Sequence, residues 1–181
     1  MLIKKAQNIK CLICDLDGVL TNGLIFLNNA GNDQKAFHIH DGLGLKLLQA
    51  VGIEVSIITG SKQLLIEQRM LQLNIKHVYQ GQINKQSAYQ DLKTSLNLED
   101  YQMAYVGDDL PDLPIMQQVG MSVAVANAVE AIKAGADWIT THNGGCGAVR
   151  EVCDMILSAQ NKTQQAIETF LNTKLPATDN I

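Results

Sequence analysis

The chain has 181 residues, 46% hydrophobic and 18% charged, enough for one domain with a core of its own and too few for two large ones. Its 14 basic and 18 acidic residues leave a formal charge of -4, which argues against nucleic acid or an anionic membrane as partner, because both demand a basic surface. The apolar stretch after Lys4 and Lys5 stops at Asp15, too short for a secretory core with a cleavage site or for a membrane span, so a cytoplasmic protein is expected.

The run Ile9 to Cys14 reads as a central parallel strand that ends in Asp15-Leu16-Asp17-Gly18. Ligands of open α/β sheets bind beyond the carboxyl ends of the strands, so Asp15 and Asp17 stand where chemistry is done. Cys11 and Cys14, three apart on that strand, point to opposite faces and cannot share a metal or a disulfide. With Cys146 and Cys153 they are expected to be buried, reduced thiols. Gly23 to Ile39 reads as a β-hairpin, with Leu24-Ile25-Phe26-Leu27 and Lys35-Ala36-Phe37-His38-Ile39 on either side of Asn28-Asn29-Ala30-Gly31-Asn32. Four consecutive apolar residues cannot all face inward on a strand. The hairpin is therefore covered on both faces by its own domain, or it offers an apolar surface to another subunit.

Helical and strand patterns alternate from there on. Helices are expected near 43–51, 62–73, 85–96, 112–118, 127–134 and 147–159, and strands near 53–59, 76–80, 103–107 and 122–126, with a short edge strand at Trp138-Ile139-Thr140-Thr141. Such a repeat predicts a doubly wound, Rossmann-like parallel sheet with helices on both faces. Residues 1–160 make up that domain. Ala166, Ile167, Phe170 and Leu171 keep a helical spacing in 161–181, and the end from Pro176 is expected to be mobile.

Three further polar signals fall at strand ends or helix starts: Thr59, Lys85 and Gly107-Asp108-Asp109-Leu110-Pro111-Asp112. Singly each has a plainer role. Thr59 could cap the helix near Lys62, Lys85 could be a solvated helix charge, and Asp112 could sit at a helix N-terminus. As an ordered set with Asp15 and Asp17 they suit a phosphate monoester, a dianion that a carboxylate nucleophile approaches only among cations and donors.

In this order the motifs resemble those of the haloacid dehalogenase superfamily of phosphohydrolases. The resemblance implies that Asp15 attacks phosphorus to form an aspartyl-phosphate and that Asp17 acts first as general acid and then as base. It further implies that Thr59 and Lys85 hold the phosphoryl group. Mg2+ would be bound by Asp15, by Asp17 through its carbonyl and by Asp108, with Asp109 as a further candidate. Capped members insert a domain between the first and second or the second and third motifs. Neither interval has room for one here, so the chain is expected to be capless.

Within the superfamily the chain resembles the family of 3-deoxy-D-manno-octulosonate 8-phosphate phosphatases. The resemblance rests on Asp15 to Thr21, Phe37 to Gly44, Tyr79-Gln80-Gly81-Gln82, Tyr105 to Asp109, Val123 to Ala128 and Gly144-Gly145-Cys146-Gly147-Ala148-Val149-Arg150-Glu151. It implies a magnesium-dependent homotetramer serving lipopolysaccharide precursor synthesis, in which the hairpin of one subunit covers the site of the next. The implied contacts to a small phosphorylated sugar acid are Asp17, His38, Ile39, His40, Asp41, Gly42, Lys46, Ser61, Arg69 and Lys85. His40, Ser61 and Cys146 stand where that family commonly carries basic residues, which leaves a phosphatase for a nine-carbon, sialic-acid-like 9-phosphate as the alternative substrate class. A receiver-like phospho-signalling module is the alternative of another kind. In receivers, however, the acidic pair precedes a separate phosphorylated Asp, and the Lys comes last.

Overall fold

The computed structural model describes residues 2–27 and 33–172. In chain order the elements are α1 (Leu2–Ala6), β1 (Cys11–Cys14), β2 (Phe26–Leu27), β3 (Asp33–Gln34), α2 (Ile39–Ala50), β4 (Glu54–Ile58), α3 (Leu64–Gln72) and β5 (His77–Tyr79). They continue as α4 (Gln86–Leu96), β6 (Met103–Gly107), α5 (Leu113–Met116), β7 (Met121–Ala124), α6 (Glu130–Gly135), β8 (Trp138–Ile139), α7 (Ala148–Ala159) and α8 (Thr163–Asn172). Six strands form one parallel sheet in the order β5-β4-β1-β6-β7-β8, and β2 and β3 pair as a separate antiparallel ribbon.

β1, β6 and β7 are buried at every position, as expected of parallel strands covered on both faces. Helices α1, α2, α7 and α8 pack together on one side, and α4, α5 and α6 pack in series on the other. β1 lies between β4 and β6, with Cys14 beside Ile57 and Val106, so its carboxyl end opens at the middle of the sheet. The strand order reverses at β1, and the crevice at such a switch point is where ligands bind.

Several elements differ from the expectation. The second hairpin strand is Asp33–Gln34, not Lys35 to Ile39, and α2 begins at Ile39, earlier than the pattern predicts. Gly42 and Gly44, weak helix formers, mask that first stretch in sequence. A Cβ on Gly44 would lie 3.1 Å from Cys153 Cβ, so the missing side chain is what lets α2 and α7 come together. The expected helix over 112–118 shrinks to α5, because Asp109 caps a 3-10 turn over Leu110–Asp112 that holds Pro111, and Pro114 follows. The helix expected at 127–134 is α6, beginning at Glu130. Of the four thiols Cys11, Cys14 and Cys153 are buried as expected, but Cys146 is exposed, since it sits in the glycine-rich loop before α7. The hairpin turn over 28–32 and the tail after Asn172 lie outside the described residues. No helix among the described residues is long and apolar enough to cross a membrane.

Candidate active site

A cavity of about 460 Å³ opens at the carboxyl ends of the central strands, and its lining includes Asp15, Asp17, Thr59, Ser61, Lys85 and Asp108. A larger depression of about 640 Å³ lies at the other end of the sheet, around Lys10, Gly52, Gln102 and Gln160, and none of its lining residues is acidic. The candidate residues Asp15, Asp17, Thr59, Lys85 and Asp108 gather at the first.

Asp15 continues the β1 ladder, its amide donating to the Val106 carbonyl at 3.0 Å. The chain then turns sharply at Gly18, where φ is +91°, and a Cβ there would fall 2.0 Å from Asp108 Oδ2. Any side chain at 18 would displace Asp108. The motif therefore needs glycine both for the turn and for the close approach of the second acidic loop.

Lys85, at the N-terminus of α4, is not a solvated charge. Its ammonium is buried and donates to Asp15 Oδ1 at 2.6 Å, to Asp112 Oδ1 at 2.7 Å and to the Tyr105 hydroxyl at 3.3 Å. Burial works against that charge, but the carboxylates of Asp15 and Asp112 outweigh it and raise the Lys85 pKa. Asp112 anchors this arrangement: beyond Lys85 it accepts from the Tyr105 hydroxyl at 2.7 Å and from the amides of Asp108 at 2.9 Å and Asp109 at 3.3 Å. Those four donors match the acceptor capacity of a carboxylate. Thr59 is buried without capping α3, whose first residue is Leu64. Its Oγ accepts from the Ser61 amide at 3.1 Å, so the hydroxyl proton is the part available to an oxyanion.

One oxygen each from Asp15, Asp108 and Asp112 lies within 4.8 Å of the others. Burial, then the charges of Asp15, Asp112 and Asp109, push the Asp108 carboxyl up to about 8, against the opposing pull of Lys85. Burial, then Asp112, push Asp15 up to about 6, with Lys85 again opposing. Carboxyls raised by burial and then by their mutual repulsion are what a divalent cation would relieve, and an all-oxygen donor set suits a hard one. Asp15 and Asp108 fit that role. Asp112 is committed to its four donors, and Asp109, named as a candidate ligand from sequence, spends an oxygen on the Leu110 amide at 2.8 Å.

Asp17 stands across the cavity. The Ser61 hydroxyl donates to its Oδ2, and Lys35 Nζ lies 2.6 Å from its Oδ1. Neither Lys35 nor Tyr105 stands out from the sequence as a site residue. Tyr105 lies one residue before the Val106-Gly107-Asp108 run and alternation along β6 could have pointed to it, whereas nothing local marks a hairpin lysine.

Of the sugar contacts implied by resemblance, Asp17, Ser61 and Lys85 line the cavity, and His38, Ile39, His40, Asp41, Gly42, Lys46 and Arg69 do not. The reason is the packing of the first turn of α2. Asp41 is buried and its carboxylate accepts from the amides of Arg150 at 2.8 Å and Gly147 at 3.4 Å, capping α7. Arg69 lies over the Phe37 ring at 5.6 Å, and a Cβ on Gly42 would meet its Nη2 at 2.8 Å. His38 and His40 meet edge to face at 5.0 Å.

A central parallel strand ending in Asp-x-Asp-Gly, with Thr59, Lys85 and Asp108 gathered around it and no inserted cap, defines a haloacid dehalogenase-like phosphohydrolase of the capless type. Residues 72–152 match the haloacid dehalogenase-like hydrolase family. The 3-deoxy-D-manno-octulosonate 8-phosphate phosphatase of Escherichia coli K12 is 51% identical over 164 residues, covering 91% of this chain and 87% of that protein. The chain belongs to the family of 3-deoxy-D-manno-octulosonate 8-phosphate phosphatases.

Solved structures agree. A subfamily III A hydrolase from Legionella pneumophila superposes with a TM-score of 0.94 at 56% identity, over 95% of this chain and 94% of that one. The Moraxella catarrhalis 3-deoxy-D-manno-octulosonate 8-phosphate phosphatase, in complex with magnesium, phosphate and KDO, superposes with a TM-score of 0.90 at 44% identity, over 93% and 97% of the two chains. The receiver-like alternative is set aside by this membership.

Proposed function

We propose that this protein is a magnesium-dependent phosphatase that converts 3-deoxy-D-manno-octulosonate 8-phosphate to the free sugar acid and phosphate. The observation that carries the reading is the buried contact of Asp15 with Lys85, itself anchored on Asp112, in the lining of a cavity shared with Asp17, Thr59 and Asp108. Membership of the family and the magnesium, phosphate and KDO held by the Moraxella relative support it.

The Asp15 oxygen turned away from Lys85 attacks phosphorus. As that bond forms the ester P–O bond breaks, its electron pair passes to the sugar oxygen, and Asp17 delivers a proton to that oxygen. The Thr59 hydroxyl proton is free to meet the phosphoryl oxygens, while Lys85, its three donors held by Asp15, Tyr105 and Asp112, supplies positive charge beside them. Asp17, now a base, takes a proton from the water that opens the aspartyl-phosphate. Magnesium held by Asp15 and Asp108, with the Asp17 carbonyl, supplies the positive charge that lets a carboxylate approach a dianion.

The active unit is a homotetramer. Support comes from the hairpin, where Leu24, Ile25, Phe26 and Leu27 are all exposed in the single chain, Ile25 by 70% and Leu27 by 75%. Contiguous apolar exposure of this kind marks an interaction surface, and a capless site needs a cover. His40 and Ile39, exposed beside that hairpin, then reach a neighbouring site and not their own. Three buried free thiols suit a reducing cytoplasm, and the reaction belongs to lipopolysaccharide precursor synthesis.

Phosphate release from 3-deoxy-D-manno-octulosonate 8-phosphate and from a nine-carbon sugar-acid 9-phosphate, each with magnesium and with a chelator, tests this. The eight-carbon ester should be preferred and the chelator should stop turnover. A clear preference for the nine-carbon ester would move the substrate, consistent with Ser61 and Cys146 replacing basic residues. Activity that survives the chelator would overturn the metal assignment.

A further inference from the structure

Lys35 comes immediately after β3, on a ribbon whose apolar residues face solvent, yet its own side chain is only 5% exposed. It reaches inward to Asp17, with Nζ 2.6 Å from Oδ1. Ser61, on the loop after β4, donates its hydroxyl to the other oxygen, Oδ2. Asp17 is thus gripped from two sides by two segments far apart in sequence.

A carboxylate on a two-bond tether, 35% exposed at its side chain as here, is free to rotate unless both oxygens are held. Two donors on opposite oxygens fix the plane of the group as well as its place, and once Asp17 has given up its proton the ammonium makes one of the bonds charge-assisted. On the reading of Asp17 as the group that serves the leaving oxygen, we propose that Lys35 is a positioning residue. It sets the plane of the Asp17 carboxylate, and through it the hairpin controls the leaving-group step.

The atoms involved make the proposal specific. In the first half-reaction the Asp15–P bond forms, the ester P–O bond breaks, and the electron pair left on the ester oxygen takes the proton from Asp17. A sugar alkoxide is strongly basic and depends on that proton. A nitrophenolate is stable as an anion and does not. Misplacing Asp17 by about 1 Å should therefore cost on the order of 100-fold with an alkyl ester and far less with an activated aryl ester. A merely structural role, holding the hairpin on the domain, would slow both esters together, because Asp15, Lys85 and Asp108 serve both.

The experiment compares Lys35→Met and Lys35→Arg with the wild type, using kcat/KM for the sugar-acid phosphate and for p-nitrophenyl phosphate. This parameter reports steps up to the first phosphoryl transfer and so leaves out hydrolysis of the aspartyl-phosphate. Lys35→Met should lower the sugar ester at least about tenfold more than the aryl ester, and Lys35→Arg should recover most of the difference, since it keeps a charged donor. Equal losses on the two esters, or no loss on either, overturn the proposal. If Lys35→Met fails to fold, Lys35→Gln, a shorter and neutral donor, takes its place and should show the same selective loss. The substrate assignment can fail separately: if the wild type prefers a different alkyl phosphate, that ester replaces the octulosonate and the contrast with the aryl ester is read unchanged.

Discussion

Gly144 and Gly18 touch through their backbones: a Cβ on Gly144 would lie 1.6 Å from the Gly18 carbonyl oxygen. The Gly145 amide donates to the Val19 carbonyl at 2.8 Å, and the Gly144 amide donates to Asn127 Oδ1 at 2.8 Å. The loop before α7 is thus the outer wall of the turn that carries Asp15 and Asp17. Gly144→Ala should push that turn inward, costing about 1–3 kcal/mol of stability and depressing kcat. Urea unfolding and steady-state rates of the same preparation check it, and an unchanged kcat would mean that the turn tolerates the displacement.

Asp15→Asn keeps the shape of the proposed nucleophile and removes its charge. Phosphate release should fall by more than ~100-fold, because help from Asp17 alone supplies only ~100- to 10,000-fold. A smaller loss, measured with fully folded protein, would mean that Asp15 is not the attacking group.

Lys85→Met leaves Asp15 and Asp112 facing each other without their shared cation. Removing one partner of a buried charge cluster costs roughly 3–5 kcal/mol, so the midpoint of urea unfolding should fall accordingly. Asp112→Asn should lower stability too, since its carboxylate also holds the amides of Asp108 and Asp109.

The carboxyls of Asp108 and Asp15, raised to about 8 and about 6, lie above the ordinary value of roughly 4 that they regain on unfolding. Between about pH 4 and 8 the metal-free folded chain therefore binds more protons than the unfolded one. Its stability falls as pH rises through that window, and the loss is complete above it. Magnesium binds the ionised pair and opposes the loss. Thermal unfolding at pH 6 and pH 8, with chelator and with magnesium, should show a larger magnesium-induced rise at pH 8. Equal rises would place the metal elsewhere.

Replacing Phe26 and Leu27 together with Asp should dissociate the proposed assembly, as seen by light scattering, and lower activity with it. A fully active monomer would remove the argument for a shared site.

Much of the site was legible because it lies at strand ends, where a local motif and its place in the fold coincide. Asp15, Asp17, Thr59, Lys85 and Asp108 were all identifiable from apolar runs followed by polar groups, and all five line one cavity. Lys35 escaped because its role depends on the folding-back of the ribbon, a tertiary fact with no periodic trace. The start of α2 was obscured by Gly42 and Gly44, whose poor propensity is overridden by packing against Arg69, Arg150 and Cys153. Asp109 shows the same limit: in sequence an acidic pair gives no hint that one member also caps the turn that follows, although it still lines the cavity.

The position of β1 between β4 and β6 has a consequence for synthesis. Cys11 to Cys14 pair on one side with Glu54 to Ile57, but on the other only with Met103 to Val106, more than half the chain later. On the ribosome the strand that leads into Asp15 spends much of translation with one bare edge, and such edges recruit foreign strands. Its non-local pairing also predicts slow closure of the sheet. Nascent chains stalled before Met103 should bind chaperones that recognise extended apolar segments, and release them once β6 has emerged.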